Sequence, residues 1–401
     1  MIEKMDAEKA LELVKNGATI LLLDVPQYSL IGIDTQMFSS GPVFKGIKMI
    51  PPGVHFLYYS SSNREGNEFS AVLGLFIDAK PSEVIIRKWD NKEERLLKIP
   101  EEEEERYIEA VKRLEFDRQL GPYTLDQYGE WNRLSNYITK STIDRLEPLG
   151  GEITIACEND NSANIPKTSV ERALDEQLKV SKFSRSLEKS QRKGCYYTPI
   201  PRIIKQKGLT GPELTKLNLD KSQLLETMLV KEYKGAEDSM LAELQFSFIA
   251  FVMGQSLEAF LQWKLLVSLL LGCTEAPLNT RSQFFTKFIK VTYYQLKYGF
   301  QKELKNTSAP ERGVLALLDE SWLSADSFLH HLCKDFFSLV LEASVVNGDL
   351  LTWTRKLKDL LEDTLGWDFN KNSPMDGMYF EEDDEFAPVV EMLDEFSEAS
   401  S

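Results

Sequence analysis

The sequence predicts an α+β multidomain chain: an N-terminal β-rich, sandwich-like domain with a few helices, a C-terminal all-α helical bundle, and an acidic C-terminal tail. Three observations predict it. Short apolar runs between residues 19 and 99 are punctuated by Gly, Pro and Asn, which is the pattern of strands and tight turns. Between residues 220 and 365 the apolar residues recur at helical spacing instead. The two stretches are separated by a Ser-, Pro- and Lys/Arg-containing segment and followed by acid. The expected domains are 1–160, a linker at 161–207, 208–370, and a tail at 371–401, and 401 residues suit two domains plus such segments.

The N-terminal elements follow in order. Asp6 heads a short helix at Ala7–Lys15, closed by Asn16-Gly17. The run Thr19–Val25 is too continuously apolar for a half-exposed strand and is expected to be buried on both faces. Further strands are expected at Leu30–Ile33, Phe44–Ile50, Val54–Tyr59, Ala71–Ile77, Val84–Trp89 and Arg95–Ile99. After Pro100, Glu101–Glu105 places five carboxylates at the positive end of a helix whose stripe is Tyr107, Ala110, Val111 and Leu114. A second helix is expected from Leu125 to about Ile138.

From Lys167 to Lys207 there are eleven Lys/Arg against four Asp/Glu, a local net of +7 in a chain whose net charge is −16. A solvated linker is the plain reading of this block. Ser181, Ser184, Ser186 and Ser190 lie among its basic residues, where a phosphate would change the local charge strongly.

The helical half begins at Asp220, an N-cap before Leu224, Leu225, Met228 and Leu229. Glu237–Met253 is apolar on nearly every face in its second half, the mark of a central buried helix. Gly254 ends it or lets backbones approach, and Leu257–Leu271 and Phe284–Tyr298 follow. Trp263 is read as core. Further stripes lie at Phe328–Val340 and Leu350–Leu361, and no internal repeat is apparent. In the tail, Met375–Ser401 holds ten Asp/Glu and no Lys/Arg, yet encloses the apolar, β-prone Phe386, Val389, Val390, Met392 and Leu393. A purely solvating tail has no need of those side chains.

Chemistry is sparse. The four cysteines, Cys157, Cys195, Cys273 and Cys333, are too far apart for a zinc-ligand spacing and read as free thiols. His330 and His331 are adjacent on a helix and cannot form an i, i+4 metal pair, and His55 stands alone in a strand. Asp24 and Asp34 have no nucleophile, metal set or phosphate loop beside them, so turn or cap roles are expected. No catalytic, metal-binding or cofactor-binding residue is assigned, and the expectation is a non-enzyme. A pI near 4.9 argues against gripping phosphate backbones. The N-terminus lacks an apolar signal core and no segment reaches the ~18 apolar residues of a membrane span, so a soluble, intracellular monomer is expected.

Two long strings carry a family resemblance. One is GID-x₃-F-x₂-GPVFKGIKMIPPGVHFLYYSS from Gly32 to Ser61, and the other is AELQFSFIAFVMGQSLEAFLQWKLL from Ala242 to Leu266. Smaller echoes are Gln119–Tyr123, Leu219–Leu229, Trp367-Asp368-Phe369 and Glu385–Leu393. In this order they resemble the AAR-two splicing factor family, assembly factors of the U5 small nuclear ribonucleoprotein. The resemblance implies a β-rich domain followed by a helical one, and no enzymatic activity. It implies binding to the large U5 scaffold protein (the Prp-eight family) through its RNase H-like and Jab-one/MPN domains. This binding would exclude the U5 helicase (the Brr-two family), and the factor would work in the cytoplasm and nucleus.

Joined to the residue reading, the resemblance suggests that Phe386, Val389, Val390, Met392 and Leu393 add a strand to a sheet edge of the scaffold. It also suggests that phosphorylation at Ser181, Ser184, Ser186 or Ser190 promotes release. Other classes remain open on the sequence alone. One is a generic adaptor bridging protein partners without a splicing role. Another is a hydrolase using Asp24 and Asp34, and direct RNA binding is opposed by the acidic balance.

Overall fold

The computed structural model describes residues 7–62, 69–154, 194–201, 210–305 and 328–369. After helix α1 (Ala7–Asn16), the N-terminal strands are β1 (Ala18–Leu23), β2 (Leu30–Ile33), β3 (Gln36–Ser39), β4 (Gly46–Ile50), β5 (Gly53–Ser60), β6 (Leu73–Ala79), β7 (Val84–Asp90), β8 (Arg95–Leu97) and β9 (Leu120–Pro122). They form a mixed sheet in the order β8-β7-β1-β4-β9 and an antiparallel sheet in the order β3-β2-β5-β6.

Strand alternation explains why β1 is apolar throughout. Ile20 and Leu22 point to the second sheet, where they pack with Ile31, Ile33, Leu57, Tyr59 and Ile77. Leu21 and Leu23 point the other way, into a cluster with Ile86 and Val111 under α2 (Glu101–Lys112). The same logic holds for β5. Leu57 and Tyr59 face the first sheet, whereas Phe56 and Tyr58 belong to the core of the helical half. The layers therefore run α2, mixed sheet, antiparallel sheet, helices. Two glycines make room for the outer rings of β5. A Cβ at Gly32 would lie 2.0 Å from the Tyr58 ring, and one at Gly74 would lie 2.3 Å from that of Phe56.

The chain then forms α3 (Tyr128–Ser135) and α4 (Lys140–Leu146). The helical half comprises α5 (Gly211–Leu219), α6 (Ser222–Lys231), α7 (Glu237–Val252), α8 (Leu257–Leu271), α9 (Ser282–Lys305), α10 (Phe328–Glu342) and α11 (Gly348–Leu365). As expected, α7 is central. It is buried without a break from Met240 to Val252 and packs against α3, α4, α8 and α9. Gly254 ends this segment at a close approach, since a Cβ there would lie 2.6 Å from the Ala250 carbonyl oxygen and 3.3 Å from Phe56. Ser256 caps α8 by accepting from the Ala259 N–H at 3.1 Å. Trp263 is fully buried core, and its indole N–H donates to Gln295 at 2.9 Å.

Several expectations need correction. The single helix expected from Leu125 to Ile138 is a 3₁₀ turn, Leu125–Gln127, followed by α3. The chain breaks at Thr139, which caps a separate α4 with Thr142 as its reciprocal partner. Strands β3 and β9 and helix α5 were not expected. The N-cap of α6 is Lys221 rather than Asp220; Asp220, one residue earlier, accepts from the Ser222 N–H (3.0 Å) and ties in the Thr274 N–H after α8 (2.8 Å). Asp6 lies outside the described residues. The greatest difference is Gly194–Pro201, expected within the solvated linker. It is an extended strap packed on the helices, with Thr198 buried.

Candidate interaction site

Three of the strings that carry the family resemblance, Gly32–Ser61, Gln119–Tyr123 and Ala242–Leu266, are far apart in sequence but meet in space. Asp34 follows β2 in a two-residue turn and lies in the left-handed region at φ 56°, a conformation Asp tolerates. This aims its carboxylate inward, where it is fully buried. One oxygen accepts from the Phe56 N–H at 2.9 Å. The other meets His55 Nδ1 at 2.6 Å and accepts from the Tyr123 hydroxyl at 2.7 Å.

His55 Nε2 lies 2.6 Å from the Pro51 carbonyl oxygen, which can only accept. Both ring nitrogens thus face acceptors, the arrangement of an imidazolium. Burial favours the neutral ring, but the Asp34 charge and hydrogen bond, with that of Pro51, outweigh it and raise the pKa above its ordinary value. Burial and the Asp34 charge hold the Tyr123 phenol far above its usual range. The indole N–H of Trp131 donates to the Val54 carbonyl at 2.8 Å and its ring stacks on His55. This network fixes β2, β5 and the start of α3 relative to one another.

A second polar hub joins the two halves of the chain. Glu243, fully buried in α7, accepts from the Thr198 N–H (2.7 Å), the Thr198 hydroxyl (2.7 Å), Arg145 of α4 (2.9 Å), Gln262 of α8 (3.0 Å) and Tyr233 (3.1 Å). Gln262 also donates to the Thr198 carbonyl at 2.9 Å, so every polar group of Thr198 is held. Two residues on, Gln245 accepts from the Tyr137 N–H and donates to Asn136 just past the end of α3, both at 2.8 Å. Beside these hubs the aromatic core is continuous, with Phe76 of β6 stacked on Phe246 of α7 at 4.3 Å.

Glu243 and Gln245, two of the polar side chains within the buried stretch of α7, are thus the ones that dock α3, α4 and the strap. Sequence reasoning missed them, although a charged residue within a buried helix is itself a signal that partners exist.

On the far side of α8, a groove of about 440 Å³ opens between α6, α8 and α10, with Leu224, Leu269, Phe328 and Leu332 in its walls. At the end of α11, the Trp367-Asp368-Phe369 string folds back on α10, and Phe369 stacks on His330 at 5.0 Å. His330 is therefore part of a packed aromatic cluster. Of the two carboxylates of the hydrolase reading, Asp24 is exposed in a turn and Asp34 is occupied by the donors above. Cys273 and Cys333 are buried free thiols, and Cys195 is half-buried in the strap. Cys157 lies outside the described residues, as do Ser181, Ser184, Ser186, Ser190, Phe386, Val389, Val390, Met392 and Leu393. No described helix is long and apolar enough to cross a membrane.

Comparison with known proteins places the chain among named relatives. The relatives include "Protein AAR2 homolog" of Homo sapiens, 29% identical over 98% of both chains. The Caenorhabditis elegans protein of that name is 28% identical over 89% of this chain and 96% of its own. "A1 cistron-splicing factor AAR2" of Saccharomyces cerevisiae is 24% identical over 70% of this chain and 76% of its own. Residues 16–148 match the family model described as the AAR2 N-terminal domain, and residues 197–370 match that described as the AAR2 C-terminal repeat region. The second description names a repeat that the spacing of apolar residues does not reveal. With both family models matched in order over most of its length, this chain belongs to the AAR2 family.

Proposed function

We propose that this chain is a non-enzymatic assembly factor for the U5 small nuclear ribonucleoprotein in pre-mRNA splicing. The observation that carries the reading is membership of the AAR2 family across both halves, together with the splicing role printed in the name of the yeast relative. In this reading the chain binds the large Prp-eight family scaffold through its RNase H-like and Jab-one/MPN domains, and the Brr-two family helicase is kept off meanwhile. It acts in the cytoplasm and the nucleus. The hydrolase alternative is disfavoured at Asp34, whose carboxylate is taken up by structural donors.

The N-terminal β-rich part and the C-terminal helical part serve as one body that presents the tail. Phe386, Val389, Val390, Met392 and Leu393 supply a strand to the scaffold, in which alternate side chains face opposite sides. Pro388 lacks an N–H and takes a position where no ladder bond is required. The acidic flanks steer this strand to a basic surface. Phosphorylation at Ser181, Ser184, Ser186 or Ser190 reduces the local positive charge and favours release.

Capture of the tagged chain from cell extract tests the role. The retained material is expected to contain the U5 scaffold protein and to lack the helicase, and added helicase should displace the chain. Co-retention of both U5 proteins would remove the exclusion step. Retention of partners with no U5 protein among them would replace the splicing role with that of a general adaptor.

A further inference from the structure

In a chain of net charge −16, one surface of the helical half gathers cations around aromatic rings. On α9, Lys290, Tyr293, Tyr294 and Lys297 recur at i, i+3, i+4 and i+7, which places them on one face. Trp353 of α11 closes on this face, its ring centroid 5.6 Å from that of Tyr293 and 5.9 Å from that of Tyr294. Lys356 and Lys290 place their ammonium groups 4.4 Å and 5.5 Å from the Trp353 centroid. Lys297 approaches Tyr293 at 5.8 Å, and Arg133 of α3 approaches Tyr294 at 5.3 Å. The three rings are half-buried, whereas Lys290, Lys356 and Arg133 are exposed.

None of these four cations forms an ion pair with a described residue. Nearby Asp238 is taken by Lys287 at 2.8 Å, and Asp349 lies in the first turn of α11, where the helix dipole favours a carboxylate. The rings hold the cations in place without neutralising them. The surface is therefore built for an anionic, extended ligand.

We infer that this patch docks an acidic peptide, and that in the free protein its occupant is the chain's own acidic tail. Charge complementarity favours this occupant, because Met375–Ser401 carries ten carboxylates and no Lys/Arg. Chain length permits it. The described chain ends at Phe369, and Trp353 lies twelve residues before the end of α11, about 18 Å back along the helix at 1.5 Å per residue. Six or so extended residues at roughly 3.3 Å each cover that span, and 32 residues follow Phe369. Tethering makes the encounter intramolecular and raises the effective concentration of the tail. A single-stranded nucleic acid also suits rings and cations, but it would have to compete with that tethered negative charge. The inference concerns the free protein and stands whether or not the tail later donates a strand to a scaffold.

Zero-length carbodiimide cross-linking of the full chain, read by mass spectrometry, tests it. At about 0.1 M salt, where the Debye length is roughly 10 Å, intramolecular amide links are expected between Lys290, Lys297 or Lys356 and carboxylates of 375–401. They should fall several-fold at about 1 M salt, where that length is about 3 Å. The exposed double variant K290E/K356E should lower the links to the remaining Lys297 amine at least tenfold without loss of helical content. Tail links spread evenly over all exposed lysines, or found only between two copies, would overturn the assignment. So would binding of a uridine oligonucleotide, followed by anisotropy, that K290E/K356E abolishes while the tail links persist.

Discussion

His55→Ala is expected to cost about 3–5 kcal/mol of folding stability, the range for removing one partner of a buried ion pair. The residue is essentially inaccessible to solvent, and its loss leaves the Asp34 carboxylate and the Pro51 carbonyl without its two N–H donors. The cavity beneath Trp131 and Tyr128 adds to the loss. A pH signature separates this network from ordinary packing. His55 has a raised pKa in the folded state, whereas an unfolded histidine titrates near about 6.5. Its contribution is therefore fully present below about pH 6.5 and is lost as pH rises through the folded value.

Denaturant unfolding of the wild-type chain at a series of pH values from about 6 to 9 should show stability falling over that window. His55→Ala should flatten this part of the curve. A wild-type curve that rises or stays level there would show that His55 is neutral in the fold.

Glu243→Ala is expected to cost about 3 kcal/mol or more, because four side chains and one backbone N–H lose their common acceptor. Arg145 is partly exposed and can recover water, so the loss comes mostly from Thr198, Gln262 and Tyr233, which remain buried. The loss is also local. The strap at Gly194–Pro201 is held by Thr198 and by the Tyr196 N–H on the Leu146 carbonyl at 2.9 Å. Hydrogen exchange should therefore rise most at Tyr196 and Thr198, before global unfolding. Glu243→Gln, which keeps the shape and one acceptor oxygen, should lie between the two. Uniform exchange in Glu243→Ala would mean that the strap is held by its apolar contacts instead.

These two hubs show what could be read from the residues and what could not. The continuous apolar run at β1 and the all-round apolar α7 were legible, because burial on every side leaves its mark on consecutive residues. Strand β3 and strand β9 were not, since three or four residues next to Gly and Pro carry too little pattern. Asp34 was legible as a turn residue. Its role as a buried acceptor depends on His55 and on Tyr123, 21 and 89 residues away, and no local rule links such distances. Thr198 looked like part of a polar linker because its partners lie on α4, α7 and α8. The resemblance found the right strings without saying that they meet. Only the fold brings the Gly32–Ser61 block and Tyr123 to one buried network.

Calorimetric binding of the full chain to the C-terminal region of the U5 scaffold protein, beside a chain ending at residue 370 and the full-length variant F386D/V390D, tests the central claim most directly. The account predicts tight binding by the full chain. It also predicts a loss of at least roughly tenfold, or about 1.4 kcal/mol, in both altered chains. Equal binding by all three would place the contact on the folded domains rather than on the tail strand. No binding by any of them would contradict the assembly-factor role itself.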